Sequence, residues 1–304
     1  MTPEYIQANT DGTLHDASVA TVSPLNRSFL YGDAVYEVWR TYDGVIFAWE
    51  EHWQRLLRSA SALGIIIPWS AKSIFQQILE TVQAFRETVG ERGELYIRLQ
   101  ISRGEGEIGL DSELANRCGF VVLVKRLPPL SEKDLENGLR LSIADGIRRN
   151  STRCLDPAWK TGNYLNNIVG LREVKKRGFD DVLFLNLQDE LTEASTSNLA
   201  FIRGRECITP PVSAGILHGI TRSRIIAQVG ETAKLSVVER TILPAELVDF
   251  DEAMLLSTTK DVQPVGCIDD FKFRTGVDTV TRRLKTAFIL NAQQYAAAHP
   301  DFRV

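Results

Sequence analysis

Apolar residues along this chain recur with two periods, and each change of period marks an element boundary. From Glu51 onward, Trp53, Leu56, Leu57, Ala60 and Leu63 lie at helical spacing, and Ile74, Ile78, Leu79 and Val82 repeat the pattern within 70–88. Each stretch predicts a helix with one buried face. Arg55 falls between the apolar positions of the first and is expected near its flank. A β-rich run at 45–49 follows the Asp43-Gly44 turn, and 94–102 and 119–124 read as strands. Lys125-Arg126-Leu127-Pro128-Pro129-Leu130-Ser131 then ends all periodicity. Consecutive prolines cannot donate to a sheet or a helix interior, so a linker is expected there.

Beyond the linker, strands are expected at 139–144, 182–187, 199–202, 235–239 and 253–257. Helices are expected at 162–177, after Thr221, and from about 277 to 298. The mixture is α/β or α+β with a substantial sheet, without a repeat of fixed period. A chain of 304 residues exceeds one typical core. The expected division is a domain at 1–126, a linker at 127–137 and a second domain at 138–304.

Composition mainly excludes. Hydrophobic residues make up 44% and charged residues 24%, which is ordinary globular protein. A net charge of −4 without a long basic run argues against nucleic acid and leaves a small molecule as the expected partner. No basic segment followed by an apolar stretch opens the chain, and no apolar run reaches membrane-spanning length, so a soluble cytoplasmic protein is expected, with no membrane partner. Cys118, Cys154, Cys207 and Cys267 lack C-x-x-C spacing. They read as reduced thiols, with neither a metal site nor a disulfide framework.

One motif misleads. Gly104-Glu105-Gly106-Glu107-Ile108-Gly109 satisfies G-x-G-x-x-G after a predicted strand. The next strand starts about ten residues later, too soon for a crossover helix, and Glu105 and Glu107 would repel a pyrophosphate. A hairpin loop is the expected structure.

The most informative pair is Lys160, in Lys160-Thr161-Gly162-Asn163-Tyr164, and Glu193, which opens Glu193-Ala194-Ser195-Thr196-Ser197-Asn198. An imine-forming lysine and a carboxylate able to keep a pyridine nitrogen protonated are what pyridoxal phosphate chemistry requires. Candidate phosphate groups follow in Gly219-Ile220-Thr221-Arg222. There Thr221 reads as a helix N-cap with outward N–H groups at Ile220 and Thr221, or else as an ordinary cap. Ser257-Thr258-Thr259 ends a predicted strand, where it is either a ligand site or a plain polar turn. Arg55 is either a fixed charge against a phosphate or a solvated helix residue.

In these motifs the chain resembles the class IV aminotransferases of fold type IV, the group of branched-chain aminotransferases, D-amino acid aminotransferases, R-selective amine transaminases and aminodeoxychorismate lyases. The resemblance runs from Tyr31-Gly32-Asp33-Ala34-Val35-Tyr36-Glu37 through Glu51-His52-Trp53-Gln54-Arg55-Leu56, Lys160 to Leu165, Glu193 to Asn198 and Leu217-His218-Gly219-Ile220-Thr221-Arg222, ending at Ser257 to Val265. It implies a small N-terminal α/β domain, a larger cofactor-binding C-terminal domain of pseudo-barrel type, and a homodimer. By the same resemblance Lys160 holds pyridoxal 5′-phosphate as an imine and shuttles the proton. Glu193 faces the ring nitrogen, Tyr164 the phenolic oxygen and Leu217 the ring face. Arg55, Ile220, Thr221 and Thr258 grip the phosphate.

Substrate signals are divided. Tyr36-Glu37-Val38 and Ser257-Thr258-Thr259 resemble D-amino acid aminotransferases, whereas Tyr31, Arg40 and Tyr96-Ile97-Arg98 resemble branched-chain enzymes. The basic Arg-x-His trap of the D-amino acid enzymes is absent after Ser102-Arg103-Gly104, where Glu105 to Gly109 is acidic. The expected reaction moves an amino group from an L-branched-chain or hydrophobic amino acid to 2-oxoglutarate, with Tyr31, Tyr36, Arg40, Tyr96, Arg98 and Thr259 at the substrate. The alternatives are a D-amino acid or (R)-amine transaminase and an aminodeoxychorismate lyase. Arg27, Arg40, Arg98 and Arg103 remain open as carboxylate ligands.

Overall fold

The computed structural model describes residues 4–90 and 93–304. They form two compact units. The first runs to Pro128 and also takes in Trp159–Asn163 and Gln293–Val304. The second comprises Pro129–Ala158 and Tyr164–Ala292. The short segment that carries Lys160 thus packs with the N-terminal part of the chain.

In the first unit, in chain order, are β1 (Gln7–Thr10), β2 (Thr13–Asp16), α1 (Arg27–Tyr31), β3 (Ala34–Tyr42), β4 (Val45–Ile46), α2 (Trp49–Ala62), α3 (Ala71–Val89), β5 (Leu95–Gly106) and β6 (Ala115–Arg126). The six strands form one sheet in the order β2-β1-β6-β5-β3-β4. Strand β5 alternates strictly: Leu95, Ile97, Leu99 and Ile101 are buried, whereas Tyr96, Arg98 and Gln100 are half-buried. Period-two geometry therefore places Tyr96, Arg98 and Gln100 on one face and gives the other to a core with Ile74, Ile78 and Val82 of α3. Trp39 of β3 stacks on Trp49 of α2 at 5.0 Å between ring centroids. The expected strand at 45–49 is shorter than its composition suggested. It ends at Ile46, because α2 begins at Trp49 and takes that tryptophan into its buried face.

The G-x-G-x-x-G run is part of a hairpin, as expected. Strands β5 and β6 are antiparallel, with register shifts on both sides of Glu105. A Cβ on Gly104 would lie 1.8 Å from the Arg117 carbonyl oxygen, and one on Gly106 would lie 1.8 Å from that of Leu114. These glycines admit close backbone approach within a bulged hairpin and have no phosphate to cradle.

The second unit contains α4 (Glu132–Asn137), which lies within the expected linker, β7 (Leu139–Arg148), α5 (Leu165–Lys176), β8 (Asp181–Leu185), β9 (Leu191–Ala194), β10 (Asn198–Arg203), β11 (Glu206–Thr209), α6 (Ile220–Arg224), α7 (Gly230–Thr232), β12 (Ser236–Glu239), β13 (Glu252–Ser257), β14 (Asp261–Ile268), β15 (Phe271–Lys272) and the larger part of α8 (Val280–Ala298), whose end from Gln293 belongs to the first unit. Its sheet runs β12-β11-β10-β13-β14-β7-β8-β9, and a further pairing of β9 with β10 closes β10-β13-β14-β7-β8-β9 on itself. Leu141, Leu183, Leu199, Phe201, Leu255 and Val265 pack together in its core. Closure leaves these six strands without a free edge. A π-helical turn, Ile225–Val229, joins α6 to α7.

Candidate active site

In the first unit, Lys160 is held by its backbone. Its carbonyl accepts from Tyr36 N (3.0 Å), and Gly162 N donates to the Ala34 carbonyl (3.3 Å), so the segment lies along the start of β3. The Lys160 N–H donates to Ser59 Oγ of α2 at 3.1 Å. The amine lies 3.2 Å from Tyr36 Oη and 4.4 Å from that ring's centroid. The Arg98 guanidinium lies over the same ring at 3.8 Å and donates to Gln100 Oε1 at 2.9 Å. Tyr36 thus joins the amine and a guanidinium.

Of the two readings left open for Arg55, the solvated helix residue falls away, because the side chain is buried. Its Nε and Nη2 donate to Glu37 Oε1 (2.7 Å) and Oε2 (2.8 Å), and His52 Nδ1 lies 2.7 Å from Glu37 Oε2. Burial alone would raise the Glu37 pKa. The charge and hydrogen bonds of Arg55, with those of His52, hold it far below the usual carboxylate range. For His52 burial is the largest influence and lowers the pKa. Glu37 opposes it, while Arg55 and Lys160 add to it, and the net shift is downward. Nδ1 of His52 faces the Glu37 carboxylate. Removing one partner from so buried an ion pair costs about 3–5 kcal/mol.

The pH dependence follows. The folded pKa of Glu37 lies below its reference of 4.5, so its contribution is complete above pH 4.5 and is lost as the pH falls through the folded value. The folded pKa of His52 lies below 6.5, so the unfolded chain takes up that proton first and stability declines as the pH falls below 6.5. In denaturant titrations across a pH series, His52→Gln is expected to flatten the slope between pH 6.5 and 4.5 by at most about 1.4 kcal/mol per pH unit. An unchanged slope would contradict the assignment.

Other arginines of this unit are committed elsewhere. Arg27 donates to Asp33 and to the carbonyls of Gly109, Leu110 and Asp111. Arg103 donates to Asp33 and to the carbonyls of Leu63 and Gly64. Arg40 lies over Tyr42 at 4.2 Å. The Tyr31 hydroxyl accepts from Gly109 N at 3.2 Å, which ties α1 to the acidic hairpin. Tyr96 lies 5.9 Å from the Lys125 amine.

In the second unit, Glu193 is buried near the end of β9 and receives four donors. Arg149 Nε and Nη2 reach Oε1 at 3.1 and 2.7 Å, and Asn198 Nδ2 and Leu217 N reach Oε2 at 3.0 and 3.1 Å. Arg149 also donates to Asn167 Oδ1 of α5 (2.9 Å), whose amide donates to the Ser195 carbonyl (2.7 Å). Tyr164 stands directly before α5, at its N-cap.

The cap of α6 is Gly219, not Thr221 as the sequence suggested, and Thr221 lies buried within the first turn. A Cβ on residue 219 would meet Asn198 Oδ1 at 1.9 Å, so only glycine lets this turn lie against the Glu193 hairpin. First-turn N–H groups have no intrahelical acceptor, which leaves those of Ile220 and Thr221 available to an anion. Arg222 points inward to Thr209, Pro210 and Glu239 and anchors the turn. Thr258 and Thr259 form the tip of the β13–β14 hairpin, whose base pairs Ser257 with Asp261. The hydroxyls of Ser197 and Ser257 are buried without a hydrogen-bond partner.

The residues of each unit, taken by itself, fit pyridoxal phosphate: the first offers an amine able to form an imine, and the second offers a charge-paired carboxylate, first-turn N–H groups and two orphaned hydroxyls that a ligand or water can satisfy. Glu37, His52, Ser59 and Arg149 were not singled out from the sequence. The legible signal for two of them is His52-x-x-Arg55-x-x-x-Ser59, a polar row at the spacing of a buried helix face. No group of side chains suited to a metal occurs among the described residues. No helix among them is long and apolar enough to cross a membrane.

The fold and the likeness to known proteins define a pyridoxal-phosphate-dependent transaminase of fold type IV. The chain belongs to the amino-transferase class IV family, whose sequence model matches residues 34–268. It is 32% identical over 279 residues to a putative branched-chain-amino-acid aminotransferase of Methanocaldococcus jannaschii, covering 91% of this chain and 93% of that one. It is 29% identical over 286 residues to a D-alanine aminotransferase of Bacillus licheniformis, covering 91% and 94%. The structure matches that of a branched-chain aminotransferase from Thermoproteus uzoniensis, solved with norvaline, at a TM-score of 0.84 and 28% identity, covering 96% and 98%.

Proposed function

We propose that the enzyme transfers the amino group of an L-branched-chain or other hydrophobic amino acid to 2-oxoglutarate, with Lys160 as its catalytic residue. The observation that carries this reading is the row Arg98–Tyr36–Lys160, a guanidinium and the amine on one tyrosine ring. Arg98 shares a strand face with Tyr96, so a fixed cation is available to the second carboxylate of an acidic co-substrate. The acidic Glu105 and Glu107 disfavour a carboxylate at the hairpin.

Bound pyridoxal phosphate supplies the electron sink for the pair left when the substrate's α proton departs. Lys160 would hold the cofactor through its Nζ, and the same nitrogen would carry the substrate's α proton as general base and acid. The 3.2 Å contact with Tyr36 Oη aims that amine. Glu193, paired with Arg149 on one oxygen, would face the ring nitrogen. Tyr164 would face the phenolic oxygen, and Leu217 one ring face. Arg55, the N–H groups of Ile220 and Thr221, the Thr221 hydroxyl and Thr258 would hold the phosphate, while Thr259, Tyr31 and Arg40 would border the substrate. Exposed Phe29, Ile108 and Leu110 support a homodimer as the working assembly.

One observation favours a second reading. The Tyr36 hydroxyl beside the lysine, together with the D-alanine aminotransferase relatives, supports D-amino acids as substrates. Single-turnover conversion of the cofactor's aldehyde form to its amine form separates the two without requiring an acceptor. L-leucine, L-isoleucine, L-valine and L-glutamate are expected to react faster than D-alanine and D-glutamate. The opposite order would sink the L-specific reading and favour the second.

A further inference from the structure

Helix α2 carries His52, Arg55 and Ser59 in one buried polar row. The first two face Glu37. Ser59, 1% exposed, does something else: its Oγ donates to the Arg55 carbonyl at 3.0 Å and accepts from Lys160 N at 3.1 Å. The Lys160 carbonyl is taken by Tyr36 N of β3, and Thr161 forms a bridge with Val35. The peptides on either side of the Lys160 Cα are therefore tied to different elements, the following one to a strand backbone and the preceding one, whose carbonyl accepts the local bond from Thr161 N at 3.0 Å, to α2 through the Ser59 hydroxyl. Arg55 lies one turn before Ser59, about 6 Å along the same helix. One rigid element thus bears both a phosphate guanidinium and the clamp on the lysine backbone.

We propose that Ser59 is a positioning residue for Lys160, setting the direction in which the amine leaves the backbone and hence its reach to the cofactor carbon. The proposal rests on the reading of Lys160 as the attachment lysine and Arg55 as a phosphate ligand. Ser59→Ala removes a single oxygen atom and slightly favours the helix, but leaves the Lys160 N–H without its acceptor. A small loss of aim costs far more in bond formation than in binding, since reacting atoms must meet within narrow limits.

The test uses apoprotein with two probes. Pyridoxal 5′-phosphate reports covalent attachment through the absorbance of its lysine adduct. Pyridoxamine 5′-phosphate, which cannot attach, reports binding alone. Ser59→Ala is expected to slow attachment about 10-fold to 100-fold while changing pyridoxamine phosphate affinity less than about 2-fold, and Ser59→Thr, which keeps the hydroxyl, is expected to restore the rate. Attachment at the wild-type rate, a parallel loss with both probes, or no rescue by threonine would overturn the proposal. Two controls isolate the underlying reading. Borohydride fixation persisting in Lys160→Ala, or unchanged pyridoxamine phosphate affinity in Arg55→Ala, would refute that reading and the proposal with it.

Discussion

Lys160→Ala is expected to yield a folded protein that binds pyridoxal phosphate reversibly and transfers amino groups about 10⁴-fold or more slowly than wild type. The fold should survive because this residue is held by its backbone, through Ser59 and Tyr36, and the substitution leaves both bonds in place. The reaction should fail because one nitrogen both anchors the cofactor and carries the proton, so no neighbour replaces it. Tyr36 Oη is the nearest group to it, and a phenol with a reference pKa near 10 is a poor base at neutral pH. Borohydride reduction followed by peptide mapping checks the assignment. The label should sit on Lys160 in wild type and be absent from the variant, and a label on Lys125, Lys175 or Lys260 would refute it.

Glu193→Gln is expected to keep the cofactor and slow the proton shift by about 10²-fold to 10³-fold. Four donors converge on this carboxylate, two from Arg149 and one each from Asn198 and Leu217. An amide offers one acceptor oxygen, so its NH₂ group must face either Arg149 or the Asn198 and Leu217 pair, donor against donor. The variant also leaves the Arg149 charge buried without its partner and, on the proposed reading, removes the charge that would favour a protonated ring nitrogen. A lower melting temperature should therefore accompany the slower shift. Stopped-flow measurement with one amino acid separates the two effects. A wild-type rate would show that Glu193 does not govern the ring nitrogen.

Much of the architecture was legible in the chain. The helical repeats predicted α2 and α3, and the short interval after Gly109 ruled out a nucleotide-binding crossover before any coordinates. Strands β1, β2, β3, β9, β11, β14 and β15 were not foreseen. In β3 the apolar alternation is broken by Glu37, whose burial makes sense only with Arg55 and His52 on it. Lys160, Glu193 and the Gly219-Ile220-Thr221 turn could be proposed from the chain because the chemistry each would serve demands a particular residue type in a particular local run.

Their partners were not recognisable, for a physical reason. Lys160 and Ser59 lie 101 positions apart, and Arg149 and Glu193 lie 44 apart. A serine or an arginine carries no local mark of the distant group that it will meet. Thr221 shows the same limit in reverse. It has the side chain of an N-cap, but close packing of Asn198 against Gly219 moved the helix start two residues earlier. The sequence by itself determined the chemistry available to this protein and the periods of most of its elements. Only the tertiary structure decided that Arg55 is buried on Glu37, that Arg27 and Arg103 serve Asp33, and that Lys160 packs with the first unit, because long-range pairing and burial set those partners.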